Sequence, residues 1–134
     1  MADALFVDTV FIQALFDKND QHHAWAMRNL NLMQNATRVY VSEAVFVEVA
    51  TALSAVNRLG AARFIRQCYI TPNITVVPFD HNLFLRGLAL YESRPDKNWS
   101  LVDCVSFLVM QDHAITAAMS TDHHFEQAGF QLIA

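Results

Sequence analysis

Four consecutive apolar residues, Ala4-Leu5-Phe6-Val7, have the pattern of a strand buried on both faces, and the run stops abruptly at Asp8-Thr9. A helix is predicted from there, with Val10, Phe11, Ala14 and Leu15 at helical spacing. Asn19-Asp20 can break and recap it, and a second helix carries Ala24, Met27, Leu30 and Met33 before Asn35. Arg38-Val39-Tyr40-Val41 reads as the second strand. Ser42 can cap a long helix reaching about Arg58, with Gly60 as its C-terminal stop. The next helix, roughly Ala61–Ile70, ends before Pro72, and the β-branched run Ile74-Thr75-Val76-Val77 is a third strand closed by Pro78.

The alternation continues to the end of the chain. Asp80 caps a helix reaching about Glu92, and a polar loop over Ser93–Trp99 follows. Ser100 and Asp103 then form a serine-x-x-acid cap on a very apolar helix running to about Asp112. Ile115–Ser120 is a fourth strand, a short helix starts near Asp122 and ends at Gly129, and Phe130–Ile133 is a terminal strand. Strands that hand over to helices throughout predict a three-layer α/β/α sandwich around a mainly parallel sheet. No repeat or linker interrupts residues 1–134, so one domain is expected.

Composition adds exclusions. Hydrophobic residues make up 54% of the 134, and Gly and Pro contribute 3 each, which rules out a disordered or collagen-like chain. The longest apolar stretches, around Ala44–Val56 and Leu101–Met119, are interrupted by Glu48 and by Asp103, Gln111, Asp112 and His113, so neither suits a membrane span. Net charge is −4, and the only lysines are Lys18 and Lys97, so a nucleic-acid partner must be held by local arginines. Cys68 and Cys104 lack metal-ligand spacing and no cleavable leader is read before them. Buried thiols in a reducing cytoplasm are expected.

In a parallel sheet, sites form beyond the carboxyl ends of the strands, and four acids fall at such places. Asp8 follows the first strand, Glu48 lies on the second turn after the second, Asp103 is in the first turn of the Ser100 helix, and Asp122 follows the fourth strand. Glu48 is bracketed by Val45, Phe46, Val47, Val49 and Ala50, and Asp103 by Leu101, Val102, Cys104 and Val105. A carboxylate buried among such neighbours costs several kcal/mol unless something compensates. A hard divalent cation, which prefers oxygen ligands, is the simplest compensation.

The blocks Phe6-Val7-Asp8-Thr9, Ser42-Glu43 with Val47-Glu48, Trp99 through Phe107, and Ser120-Thr121-Asp122-His123-His124-Phe125 with Gly129-Phe130 together resemble the PIN domain family, and more narrowly its VapC-like ribonucleases. The resemblance runs from residue 3 to the C-terminus, and its last two blocks are the most specific. It implies a parallel sheet with flanking helices and RNA phosphodiester hydrolysis by a metal-dependent endoribonuclease. Asp8, Glu48, Asp103 and Asp122 match the family's acidic quartet; Asp8, Asp103 and Asp122 are expected to hold Mg²⁺ or Mn²⁺, and Glu48 to complete the pocket. Thr9 and Thr121 match hydroxyl positions beside the metal. His123, next to Asp122, is expected as a phosphate or water contact. The resemblance also implies a small antitoxin protein as partner and a homodimer. A role in RNA processing, or as a non-catalytic binding module, is the alternative.

Other readings compete residue by residue. Asp8 could serve only as a helix cap, Asp122 as a turn former and Asp103 as half of a capping box, whereas Glu48 lies too far into its helix to cap anything. A haloacid-dehalogenase-type phosphatase needs a second Asp where Val10 stands, and a receiver domain needs a lysine placed unlike Lys18 or Lys97. Neighbouring histidines on a helix point about 100° apart, so His22-His23 and His123-His124 read as polar surface rather than as zinc ligands. Phe46, Phe64, Phe84 and Phe107 read as packing. Arg58, Arg63 and Arg66 are the closest cation group for RNA contact. The helices around Trp25–Met33 and Ala61–Cys68 are expected to contribute to a dimer face.

Overall fold

The computed structural model describes residues 3–134. Its elements in chain order are β1 (Ala4–Val7), α1 (Thr9–Phe16), α2 (His23–Asn35), β2 (Arg38–Ser42), α3 (Glu43–Ala52), α4 (Arg58–Cys68), β3 (Ile74–Val77), α5 (His81–Ser93), α6 (Leu101–Asp112), β4 (Ala117–Met119), α7 (His124–Gln127) and β5 (Gln131–Leu132). The strands form one sheet in the order β3-β2-β1-β4-β5, and every pairing is parallel. Helices cover both faces, because strands such as Leu5-Phe6-Val7 and Val39-Tyr40-Val41 are buried on each side and must be roofed twice. The three-layer α/β/α architecture expected from the alternation is the one observed.

Local chemistry sets most helix starts. Ser42, Asp80 and Ser100 each accept a hydrogen bond from the backbone N–H three residues on, at Val45, Leu83 and Asp103. Asp103 returns the bond to the Ser100 N–H, completing the capping box. Gly129 ends α7 with φ 95°, a conformation L side chains resist, as the Phe130 N–H reaches back to the Phe125 carbonyl.

Three expectations need correction. The single helix from Ser42 to about Arg58 is two helices. α3 stops at Ala52, Leu53 turns inward and is fully buried, and Asn57 caps α4 by accepting from the Gly60 N–H, so Gly60 lies in a first turn and not at a C-terminus. In α2 the buried face is Trp25, Ala26, Asn29 and Met33, while Met27 is 51% exposed. Phe46 and Phe107 are core residues as expected, but Phe84 is exposed.

The core runs through the sheet as a chain of rings. Phe6 of β1 meets Phe125 of α7, which stands edge-on to Phe107 of α6 at 5.1 Å, and Phe107 in turn meets Trp99 at 4.9 Å. This packing fixes α6 and α7 against the central strand. Cys68 and Cys104 are buried free thiols, and burial pushes them up to about 12 and about 11 respectively.

Candidate active site

The strand order places β1 between β2 and β4, and the chain leaves the two sides of β1 in opposite directions: β1 leads to β2 and β3, then the path returns to β4 and β5. The crevice at such a reversal, beyond the carboxyl ends of the strands, is where open α/β sheets bind ligands. Val7 pairs with Met119, so the next residues, Asp8 and Ser120, stand level at that crevice.

Asp8 is 4% exposed and occupies the N-cap position of α1, yet its side chain makes no capping bond. The cap reading therefore fails. Its Oδ2 instead accepts a hydrogen bond from the Ser120 hydroxyl at 2.7 Å. Burial pushes this carboxyl up to about 7 from 3.8; hydrogen bonds from Ser120 and the Thr9 backbone pull it back down, and the charges of Asp103 and Glu48 push it up again. Glu48 on α3 and Asp103 on α6 are thus the acids whose charge reaches Asp8.

Asp122 joins through hydrogen bonds. Its N–H donates to Ser120 Oγ at 3.0 Å, so one hydroxyl serves both Asp8 and the Asp122 backbone. Asp122 Oδ1 accepts the His124 N–H at 2.9 Å, a short turn that starts α7. The His124 ring returns to both acids: Nδ1 is 3.0 Å from Asp103 Oδ2 and 3.3 Å from Asp122 Oδ1.

The four expected acids thus converge from the starts of α1, α6 and α7 and from the second turn of α3. Their burial differs from the expectation drawn from sequence neighbours. The Asp103 side chain is largely buried, at 13% exposure, whereas Glu48 is half-buried and follows Val47, which is 66% exposed; the most deeply buried acid is Asp8. Thr9 is buried beside Asp8 with its Oγ1 lacking any hydrogen-bond partner among the described residues. Thr121 is half-buried next to Asp122. His123 is exposed, with Nδ1 3.8 Å from Asp122 Oδ1.

Two residues at the site were not expected there. Ser120 is fully buried and links two acids, and His124, read as polar surface, is 18% exposed and touches two acids. The histidine pair is also closer to metal-site geometry than the 100° argument allowed, since ligand atoms of Asp122, His123 and His124 lie within 4.8 Å of one another. α7 begins only at His124, so His123 still belongs to the turn and its ring is not held to helical spacing.

No arginine or lysine pairs with any of the four acids among the described residues; their only nitrogen partners are histidines and backbone amides. A buried carboxyl held near neutrality, half-buried carboxylates around it and an unpartnered threonine hydroxyl form an oxygen-rich donor set short of positive charge. That set fits a hard divalent cation.

The three arginines lie on α4. Arg58 and Arg66 line an open groove of about 680 Å³ between α3 and α4, together with Val47 and Tyr69, while Arg63 is exposed outside it. A second groove, about 500 Å³, lies between α2 and α4 and is lined by Leu15, Phe16, Met27, Leu30, Met33 and Phe64. No helix of the described residues is long and apolar enough to cross a membrane.

A family model described as PIN domain matches residues 5–131. Among solved structures, VapC20 of Mycobacterium tuberculosis, described as a sarcin-ricin loop cleaving toxin, superposes with a TM-score of 0.82 at 27% identity, over 94% of this chain and 95% of that one. FitAcB from Neisseria gonorrhoeae superposes with a TM-score of 0.61 at 14% identity, over 97% and 96% of the two chains, a likeness of fold alone. No curated protein sequence gives a significant match.

Proposed function

The chain belongs to the PIN domain family, with a VapC-like fold, and from that premise we propose that residues 1–134 form a single-domain, divalent-metal-dependent endoribonuclease acting as a toxin. The observation that carries this reading is the convergence of Asp8, Glu48, Asp103 and Asp122 on one crevice with no arginine or lysine partner among the described residues, the pKa of the deepest of them raised to about 7 by burial.

Asp8, Asp103 and Asp122 are the residues that would hold Mg²⁺ or Mn²⁺, with Glu48 closing the pocket. When bound, the ion supplies water activation and charge neutralisation at the phosphodiester. The chain's own contribution is positional. Ser120 fixes Asp8 Oδ2, the capping box fixes Asp103 Oδ2, and the short turn at His124 fixes Asp122 Oδ1. Each contact holds one oxygen of the carboxylate in place. Thr9, Thr121 and His123 sit beside the acids as polar contacts for water or phosphate. Arg58 and Arg66, on the groove beside the Glu48 helix, are better placed than Arg63 to meet the RNA backbone.

A homodimer face on α2 and α4 is supported by the apolar groove between them and by the exposed Met27, and a small antitoxin protein is the further partner expected. Acting on intracellular RNA, the protein would work in the cytoplasm.

An RNA carrying a sarcin-ricin loop, end-labelled, is the first substrate to test. Cleavage should require added Mn²⁺ or Mg²⁺ and stop in EDTA, and Asp103→Asn should lower it at least about 100-fold with the fold intact by circular dichroism. Wild-type cleavage of any susceptible RNA by Asp103→Asn would show the site assignment to be wrong.

A further inference from the structure

His124 sits where α6 and α7 meet, its side chain 18% exposed and its ring 4.6 Å from that of His123. Both neighbours of Nδ1 are carboxylate oxygens, Asp103 Oδ2 at 3.0 Å and Asp122 Oδ1 at 3.3 Å. Carboxylate oxygens are acceptors, so this geometry is satisfied by the tautomer with the hydrogen on Nδ1, shared between two acids from different elements. The same two oxygens are held again by backbone groups, Asp103 Oδ2 by the Ser100 N–H and Asp122 Oδ1 by the His124 N–H. With these atoms occupied, Asp103 Oδ1 and Asp122 Oδ2 are left without a hydrogen bond among the described residues.

The two elements do not need His124 to stay together. The Trp99 indole N–H donates to Gln127 Oε1 at 3.0 Å, and Phe107 packs edge-on to Phe125 at 5.1 Å. The docking of α7 on α6 therefore does not rest on the imidazole alone.

We propose that His124 is a positioning residue of the site, whose Nδ1–H clamps Asp103 and Asp122 in one mutual orientation and so presents their remaining oxygens to a single hard divalent cation. This rests on the metal-site reading above. A partner of this kind behind metal ligands is typically worth about 10–100-fold in affinity. The imidazole contributes a hydrogen bond and does not itself ligate the ion.

The test is Mn²⁺ binding to the metal-free full chain, by calorimetry and by electron paramagnetic resonance, for wild type, His124→Phe and His124→Asn. Phe keeps a ring without the donor. Asn places its Nδ2 two bonds from Cβ, as His places Nδ1, and keeps the donor without the ring. The expected result is that Phe weakens Mn²⁺ binding about 10–100-fold and Asn recovers most of it, with equal unfolding midpoints for all three in EDTA. Should the Phe variant not fold, His124→Ala against His124→Asn reads the same contrast.

Wild-type affinity in the Phe variant overturns the clamp and leaves the metal site standing. Equal loss in Phe and Asn, with a directly bonded nitrogen coupling to Mn²⁺ in the wild type that both lack, overturns it in favour of His124 as a ligand. If the wild type binds no Mn²⁺ at all, the metal-site reading falls and the clamp falls with it.

Discussion

Asp8→Asn should make the metal-free protein more stable at pH 8 while removing its function. The folded carboxyl titrates at about 7 and the unfolded one near 3.8, a gap of about 3 pH units, and each unit is about 1.36 kcal/mol. Below pH 3.8 the group is protonated in both states and adds nothing. Between 3.8 and 7 the folded state keeps a proton that the unfolded chain has released, so stability falls as pH rises. Above 7 both states are ionised and a cost on the order of 4 kcal/mol remains. Asparagine carries no charge at any pH and can still accept from Ser120, but its buried amide must find an acceptor, at about 1–3 kcal/mol if it fails. The net gain at pH 8 is therefore about 1–3 kcal/mol.

Urea unfolding in EDTA at pH 5 and pH 8 removes the uncertain amide cost, which is the same at both. The stability of Asp8→Asn relative to wild type should grow by about 2–3 kcal/mol between the two, because the wild-type penalty accumulates over the 2 pH units up to 7. A relative stability flat to within about 0.5 kcal/mol would refute the buried, near-neutral Asp8 on which the argument stands. Saturating Mn²⁺ should reverse the order, stabilising only the wild type.

Two further outcomes follow from single contacts. Ser120→Ala removes the hydroxyl that lowers Asp8 and that accepts the Asp122 N–H, so the wild-type fall in stability with pH should extend above pH 7, with a loss of about 1–2 kcal/mol at pH 8 by urea unfolding. Gly87→Ala would place a methyl 2.6 Å from Val105 Cγ2, a stiff, fully buried side chain; despite the better helix propensity of alanine, the net effect should be about 1–3 kcal/mol of destabilisation, and an unchanged or raised melting temperature would contradict it.

Features governed by adjacent residues were legible in the sequence. The bounds of β1 and β3 and the Ser42, Asp80 and Ser100 caps are all observed, because an apolar run or a cap is decided within a few residues. What was not legible depends on distant partners. The stretch from Leu53 to Asn57 has no breaker in its sequence, but Asn57 Nδ2 donates to the Phe16 carbonyl, 41 residues away, and this tertiary bond holds the start of α4 where a longer helix would otherwise run. In α2, Asn29 is buried because its amide donates to the Trp25 and Ala134 carbonyls, and a hydrophobic pattern cannot register a polar residue on the inner face. The placement of the four acids just after strands or near helix starts was legible in the sequence. Their burial was not, since apolar sequence neighbours on a helix say little about which way a given side chain faces.

Ser120 and His124 show why the supporting residues were harder to see than the acids. Ser120 acts on Asp8 across 112 residues, and the link exists only because β1 and β4 pair in parallel with Val7 beside Met119. A serine at the end of a strand carries no sign of that; it becomes informative once the strand order is known and the reversal between β1 and β4 is seen to put it level with Asp8. The same reversal explains why Asp8 is the most deeply buried of the four acids. Its strand is central, flanked by β2 and β4, so the residue following it emerges among packed neighbours, while Glu48 and Asp103 are carried on helices outside the sheet. A few kcal/mol of a stability that rarely exceeds 5–15 kcal/mol in small domains is a large standing cost. A nonpolar residue at position 8 would fold more readily, so a buried aspartate there, bonded by Ser120 and with no arginine or lysine partner among the described residues, is the cost that the proposed cation site accounts for.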